Sequence, residues 1–257
     1  MQDSWTAAKV MRPEGTAPVV LVCEHASRAI PTEFGDLGLT KEARVSHAAW
    51  DIGARDLAVE MSTLMNAPLV LAGVSRLVYD LNRPLESISA IPEVSEIFQI
   101  PGNQTLSDAE RQNRFDKVHV PFHASVADVL NRQVARVSGP ISLVTIHTFT
   151  AVYLGQKRDV EIGYLYHEDD SFAQSALMVE QVAGRYRTAL NEPYAATDGV
   201  THTLKLHGED NGVPALMIEV RNDLVDTPDK ARDMATHLVR VLSAASHIEP
   251  NRQEAAG

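Results

Sequence analysis

Five short apolar runs, each closed at its ends by proline, glycine or polar residues and separated by stretches of helical spacing, constrain this fold most tightly. They are Pro18 to Cys23, Leu69 to Ala72, Ile141 to Ile146, Glu161 to Tyr166 and Ala215 to Val220. None keeps a strict apolar/polar alternation, which is the pattern of a strand covered on both faces. Between them, Thr40 to Leu64 carries Val45, Ala48, Ala49, Ile52, Leu57, Val59, Met61 and Leu64, compatible with one helix or with two joined near Gly53. Ser107 and Glu110 have the spacing of a capping box and open a helix to about Val137, kinked at Pro121. Asp170 to Leu190 reads as a third helix. Thr227 as N-cap with Pro228 behind it opens the last, which reaches about His247. Strands alternating with helices predict an α/β chain, a three-layer αβα sandwich with a mixed, mostly parallel central sheet. Tyr194 to His207, with Asp198-Gly199 between Thr-rich segments, is the expected antiparallel hairpin. Pro84 to Asn103 is expected to be a loop that covers a site. With no internal repeat, residues 1–257 read as a single domain, core about 18–247 and tail 248–257.

Charge removes several classes of partner. Lys and Arg total 23 against 34 Asp and Glu, a formal charge of −11. Such a chain repels a phosphate backbone and an anionic leaflet, so neither nucleic acid nor a membrane is expected as partner. No run approaches the ~18 apolar residues of a spanning helix. Met1 to Ala17 contains Asp3, Lys9, Arg12 and Glu14 and lacks the apolar centre of a signal peptide. The single cysteine, Cys23, permits no internal disulfide. The expected location is cytoplasmic.

Ligands of open α/β sheets gather beyond the carboxyl ends of the strands, so polar residues that close the apolar runs matter most. Three such places stand out: Glu24-His25-Ala26-Ser27, Thr145-Ile146-His147-Thr148, and Glu219 to Asp223. Two histidines and a glutamate at three strand ends outline a metal hydrolase site. Zinc binds neutral imidazoles with a carboxylate and keeps one position for water, whose pKa drops to about 7. A carboxylate outside the ligand shell then shuttles the proton from water to a leaving amine, the role that suits Glu219. A single histidine at a strand end is commonly a hydrogen-bonded loop residue, and His119, His167, His237 and His247 are read that way. His123, His202 and His207 are open between site lining and structure.

A second cluster, Ser75 to Pro84, places Arg76, Asp80, Asn82 and Arg83 just after a strand. Asp80 can neutralise one arginine. The other then requires an anion, and a guanidinium matches a carboxylate through two parallel hydrogen bonds. A salt-bridged turn is the plainer alternative.

Together these blocks resemble the N-formylglutamate amidohydrolase family: Glu24-His25-Ala26-Ser27 with Pro31, Arg76 with Asp80-Leu81-Asn82-Arg83, Ile146-His147-Thr148, and Glu219-Val220-Arg221-Asn222-Asp223-Leu224. The resemblance implies the fold of zinc carboxypeptidases and aspartoacylases, and hydrolysis of the amide of an N-acyl acidic amino acid. It assigns Zn2+ to His25 and His147, the general base to Glu219, and the substrate carboxylate to Arg76, Asn82 and Arg83. Arg221 is a candidate for a second carboxylate. The wider group takes its first two ligands from His-x-x-Glu, but Arg28 stands three residues after His25. The missing ligand is expected from His47-Ala48-Ala49-Trp50-Asp51, where a helix would put His47 and Asp51 on one face. Asp51 is chosen, with His47 as alternative. Glu24, next to His25, would point to the opposite face of a continuing strand. Rival readings are a hydrolase using Cys23 or Ser27, a zinc peptidase for longer substrates, and a non-catalytic carboxylate-binding module.

Overall fold

The computed structural model describes residues 4–246. Its strands are β1 (Ala8–Met11), β2 (Val19–Cys23), β3 (Leu69–Ala72), β4 (Val94–Ser95), β5 (Phe98–Gln99), β6 (Ser142–Phe149), β7 (Val152–Tyr153), β8 (Gln156–Lys157), β9 (Ile162–Leu165), β10 (Thr188–Leu190) and β11 (Ala215–Arg221). The helices are α1 (Lys41–Val45), α2 (Ala54–Met65), α3 (Asp108–Arg114), α4 (Val120–Arg136), α5 (Ser171–Ala183) and α6 (Pro228–Ala245). Seven strands form one sheet in the order β1-β3-β2-β6-β11-β9-β10. β3, β2, β6 and β11 run parallel, and β1, β9 and β10 run against them.

Period-2 geometry explains why the central runs are apolar throughout. Val19, Leu21 and Cys23 pack on one face with α2, α5 and α6, while Val20 and Val22 pack on the other with α4. Both faces of the sheet are therefore covered, as expected for a sandwich of helices around a sheet. All five predicted strands are present. The mixed character comes from β1, β9 and β10 rather than from the expected hairpin at 194–207. That segment instead holds a short 3-10 turn (Ala196–Asp198) and a π-helical turn (Leu204–Gly208). Its backbone groups are claimed by side chains: Asp198 accepts from the Ala195 N–H, and Asn82 accepts from the Thr203 N–H.

Two helix expectations also change. α5 stops at Ala183 because Gly184 takes a left-handed conformation at φ 61°, and the chain continues into edge strand β10. The long helix before α4 is interrupted by a π-helical turn, Phe115–His119, directly ahead of Pro121. The extra residue absorbs the proline ring and its missing N–H. Thr40 to Leu64 is two helices, α1 and α2, with Gly53 at φ 85° between them. The end of the last predicted helix and the tail lie outside the described residues, as does His247. No helix among the described residues is long and apolar enough to cross a membrane.

Candidate active site

Parallel pairing aligns the site. Glu219 on β11 is the register partner of His147 on β6, so both side chains stand on the same face near the carboxyl ends of their strands. β2 ends one strand away. After Cys23 the chain turns, Glu24 stays on the His147 face, and His25 bends over the strand end. The His25 carbonyl accepts the Asp51 N–H at 3.0 Å and pins the 46–53 segment above the sheet.

His25 Nδ1, His147 Nδ1 and Asp51 Oδ2 form a triangle with edges of 3.2, 2.9 and 3.3 Å. Ligands about 2.05 Å from a tetrahedral ion are separated by about 3.3 Å, so this donor set matches a zinc-like shell. The far side of each ring is also arranged for that role. His25 donates Nε2–H to Asp80 Oδ1 at 2.8 Å, and His147 Nε2 faces Glu24 Oε2 at 3.1 Å. The hydrogen bond to Asp80 fixes the His25 tautomer, while Glu24, close to His147 but outside hydrogen-bonding geometry, adds negative charge that raises the basicity of that ring. With both rings neutral, each Nδ1 lone pair would face the other and Asp51, an arrangement of acceptors that fits a cation. All five side chains are buried.

In the absence of an ion a proton takes its place. Burial opposes charge on His147, but Glu24 and Asp51 on either side hold its pKa well above the ordinary histidine value. Burial alone would raise Asp51, yet His25 and His147 keep its carboxyl below the usual range. Glu219 behaves oppositely. Burial, reinforced by Asp51, pushes it up to about 7 despite His147, and its Oε2 has no hydrogen-bond partner among the described residues. A buried carboxylate with a free oxygen and a pKa near neutrality is suited to taking and returning a proton.

Helical spacing did not bring Asp51 to the site. α1 ends at Val45, and residues 46–53 are not α-helical, so His47 and Asp51 do not share a helix face. His47 borders the same cavity with Nε2 2.8 Å from Glu96 Oε2, apart from the triangle. Glu96 and Ser95 belong to a small β4–β5 hairpin inside the 84–103 segment, which forms one wall of the cavity. Its volume is about 190 Å³.

The arginines separate by charge balance. Arg76 spans Asp80 (2.7 Å) and Asp51 (3.3 Å) and still borders the cavity. Arg83 is buried and bonds only neutral groups: Ser89 Oγ (3.0 Å) and the carbonyls of Asn82 (2.9 Å) and Gly199 (2.7 Å). No carboxylate among the described residues lies within ion-pair distance of it, although it lines the cavity. Asn82 donates to the Val200 carbonyl and accepts from Thr203, leaving one amide N–H free. Arg221 does not line the cavity. Its charge is taken by Asp223 (2.8 Å) and Glu161 (3.5 Å), which removes the reason to assign it a second substrate carboxylate.

Cys23 and Ser27 offer no nucleophile. Cys23 is wholly buried, and burial pushes its thiol well above the ordinary value. Ser27 Oγ donates to the Gly73 carbonyl and accepts from the Ala29 N–H. His167 and His237 bond Thr201 and Glu180 and do not line the cavity. The residues that the motifs did not reveal are Tyr153 and Tyr194. Both line the cavity, and Arg158 lies over their rings at 4.6 and 5.0 Å.

The chain is similar to known proteins in sequence and in fold. A family model described as N-formylglutamate amidohydrolase matches residues 17–225. A gene product of Agrobacterium tumefaciens is similar in structure at a TM-score of 0.90 and 43% identity, with 94% of this chain and 95% of that chain covered. The N-formylglutamate amidohydrolase of Ralstonia eutropha is similar at a TM-score of 0.66 and 16% identity, covering 95% and 98%. At that identity the second likeness concerns the fold alone. No curated protein sequence matches the chain.

Proposed function

Since the chain belongs to the N-formylglutamate amidohydrolase family, we propose that it is a zinc-dependent amidohydrolase removing the N-acyl group, formyl by family precedent, from an acidic amino acid such as glutamate. The observation that carries this reading is the triangle of His25, Asp51 and His147 lying beside a buried Glu219 whose free oxygen has no partner.

His25, Asp51 and His147 would hold the ion, with Asp80 orienting the His25 ring and Glu24 placing negative charge behind His147. An ion so held lowers the pKa of water and polarises a carbonyl oxygen. Glu219 accepts the proton of the attacking water and returns it to the departing amine nitrogen. Arg83 and the free N–H of Asn82 bind a substrate carboxylate. Arg76, held by Asp51 and Asp80, points positive charge at the cavity where the oxyanion develops. A cavity of about 190 Å³ is smaller than the ~300–1,000 Å³ of drug-sized sites, which favours a single amino-acid derivative over a longer peptide.

The test combines elemental analysis of the purified chain with hydrolysis of N-formyl, N-acetyl and N-carbamoyl acidic amino acids. Turnover should vanish on chelation and return with Zn2+. Hydrolysis that survives exhaustive chelation would refute the metal assignment.

A further inference from the structure

A second group of imidazoles lies outside the site just described. His119 closes the π-helical turn Phe115–His119, His123 follows one turn later in α4, and His202 and His207 arrive from the opposite wall. His119 Nε2 is 3.1 Å from His202 Nε2, and His123 Nδ1 is 2.8 Å from His207 Nε2. One ring nitrogen from each of His119, His123 and His202 lies within 4.8 Å of the other two. His119, His123 and His207 are buried, while His202 is half-buried and opens the cluster to solvent.

We propose that His119, His123 and His202 form a second metal site, selective for a borderline transition ion such as Zn2+, Ni2+ or Cu2+. Tautomers are set for it. The Leu81 carbonyl accepts the His123 Nε2–H at 2.8 Å, so Nδ1 carries the lone pair, which accepts the His207 Nε2–H at 2.8 Å in the ion-free protein and turns to an ion when His207 is displaced. The His119 ring is fixed by stacking on Phe115, centroids 4.5 Å apart. Spacing of i and i+4 puts His119 and His123 on the same helix face, as in other histidine pairs that share an ion. The donors are all imidazole nitrogens, which suit Zn2+, Cu2+ and Ni2+ and disfavour Mg2+ and Ca2+.

Asp80, Glu24 and Glu86 place negative potential around His202, opposed by Arg83, which favours a cation there. An ion here would tie α4 to the 199–208 segment. That segment supplies Gly199 and Thr203, which hold Arg83 and Asn82, so the second ion would brace a wall of the cavity.

The test uses the full chain, stripped by chelation and titrated with Co2+ and then Zn2+. Bound ions per chain are counted by elemental analysis, and Co2+ ligand-field absorption reports the shell. His202→Ala, at a half-buried position, and His119→Gln should each bind one ion fewer than the wild type and lose the Tm increase that this ion confers. His147→Gln should retain that ion, so failure of the catalytic assignment would be distinguishable. Equal stoichiometry in the wild type and both cluster variants would overturn the second site.

Discussion

Replacing Glu24 by glutamine separates its charge from its volume. Glu24 is wholly buried, its Oε2 is 3.1 Å from His147 Nε2, and glutamine keeps the shape and an acceptor oxygen. Two effects oppose each other. Loss of the charge lowers His147 basicity and weakens its bond to an ion, and changes behind a ligand of this kind cost about 10–100-fold in affinity, about 1.4–2.7 kcal/mol. The same loss also makes the proton that the ion must displace easier to remove. Glu24 and Asp51 together hold the wild-type pKa of His147 well above 6.5, so proton displacement opposes binding most at neutral and acidic pH. Above the raised pKa this competition disappears and only the weaker bond remains. The penalty for Glu24→Gln should therefore grow with pH toward its full 10–100-fold. A chromophoric chelator competition at several pH values measures it, in the His202→Ala background so that one site reports. Affinity equal to the parent at high pH, or a penalty that shrinks as pH rises, would refute the reasoning.

Glu219→Gln should retain the ion but reduce kcat by about 10²–10⁴, and kcat should lose the rising limb that a carboxyl near pH 7 gives the wild type; a near-normal kcat would remove Glu219 as base. Arg83→Ala should raise KM for carboxylate substrates about 10-fold or more, while Arg221→Ala should leave it within about two-fold because Asp223 and Glu161 already neutralise that charge; steady-state kinetics of the pair checks both. In the metal-free protein, His147 has a raised folded pKa, so the stability it contributes is full below about pH 6.5 and is lost as pH rises through the folded value; a Tm against pH series should fall over that window. Gly53→Ala should lower stability by at least about 1–2 kcal/mol, since Gly53 sits at φ 85° and a Cβ there would lie 2.4 Å from the Val225 carbonyl oxygen; unchanged urea unfolding would contradict it.

Runs such as Val19 to Cys23 and Leu69 to Ala72 were legible because both faces of a central strand are buried, and burial on both faces writes an unbroken apolar signal. Edge strands write no such signal. β1 is Ala-Lys-Val-Met with its middle residues exposed, and β10 is three half-buried residues that read as the last turn of a helix which Gly184 has already ended. The interrupted helix near Pro121 was legible as a disturbance, but its form as a π-helical turn was not. The 194–207 segment misled because its Asp198-Gly199 pair marks a turn without specifying the conformation of the residues after it. Side chains from distant residues, Asn82 above all, decide where that backbone bonds.

For the site, the sequence alone determined which residue types close the strands: His25, His147 and Glu219, with Arg76, Asn82 and Arg83 nearby. These follow from local order, because a polar residue at the end of a buried run has to face the mouth of the sheet. Tertiary structure alone decided that Asp51 closes the triangle without a helix beneath it, that Glu24 and Asp80 stand behind the rings, and that Arg221 is already neutralised. The triangle and the carboxylates behind the rings depend on segments 26 to 123 residues apart meeting over one sheet. Spacing along a chain carries no record of such distances, since strand register and the turn after β2 set them.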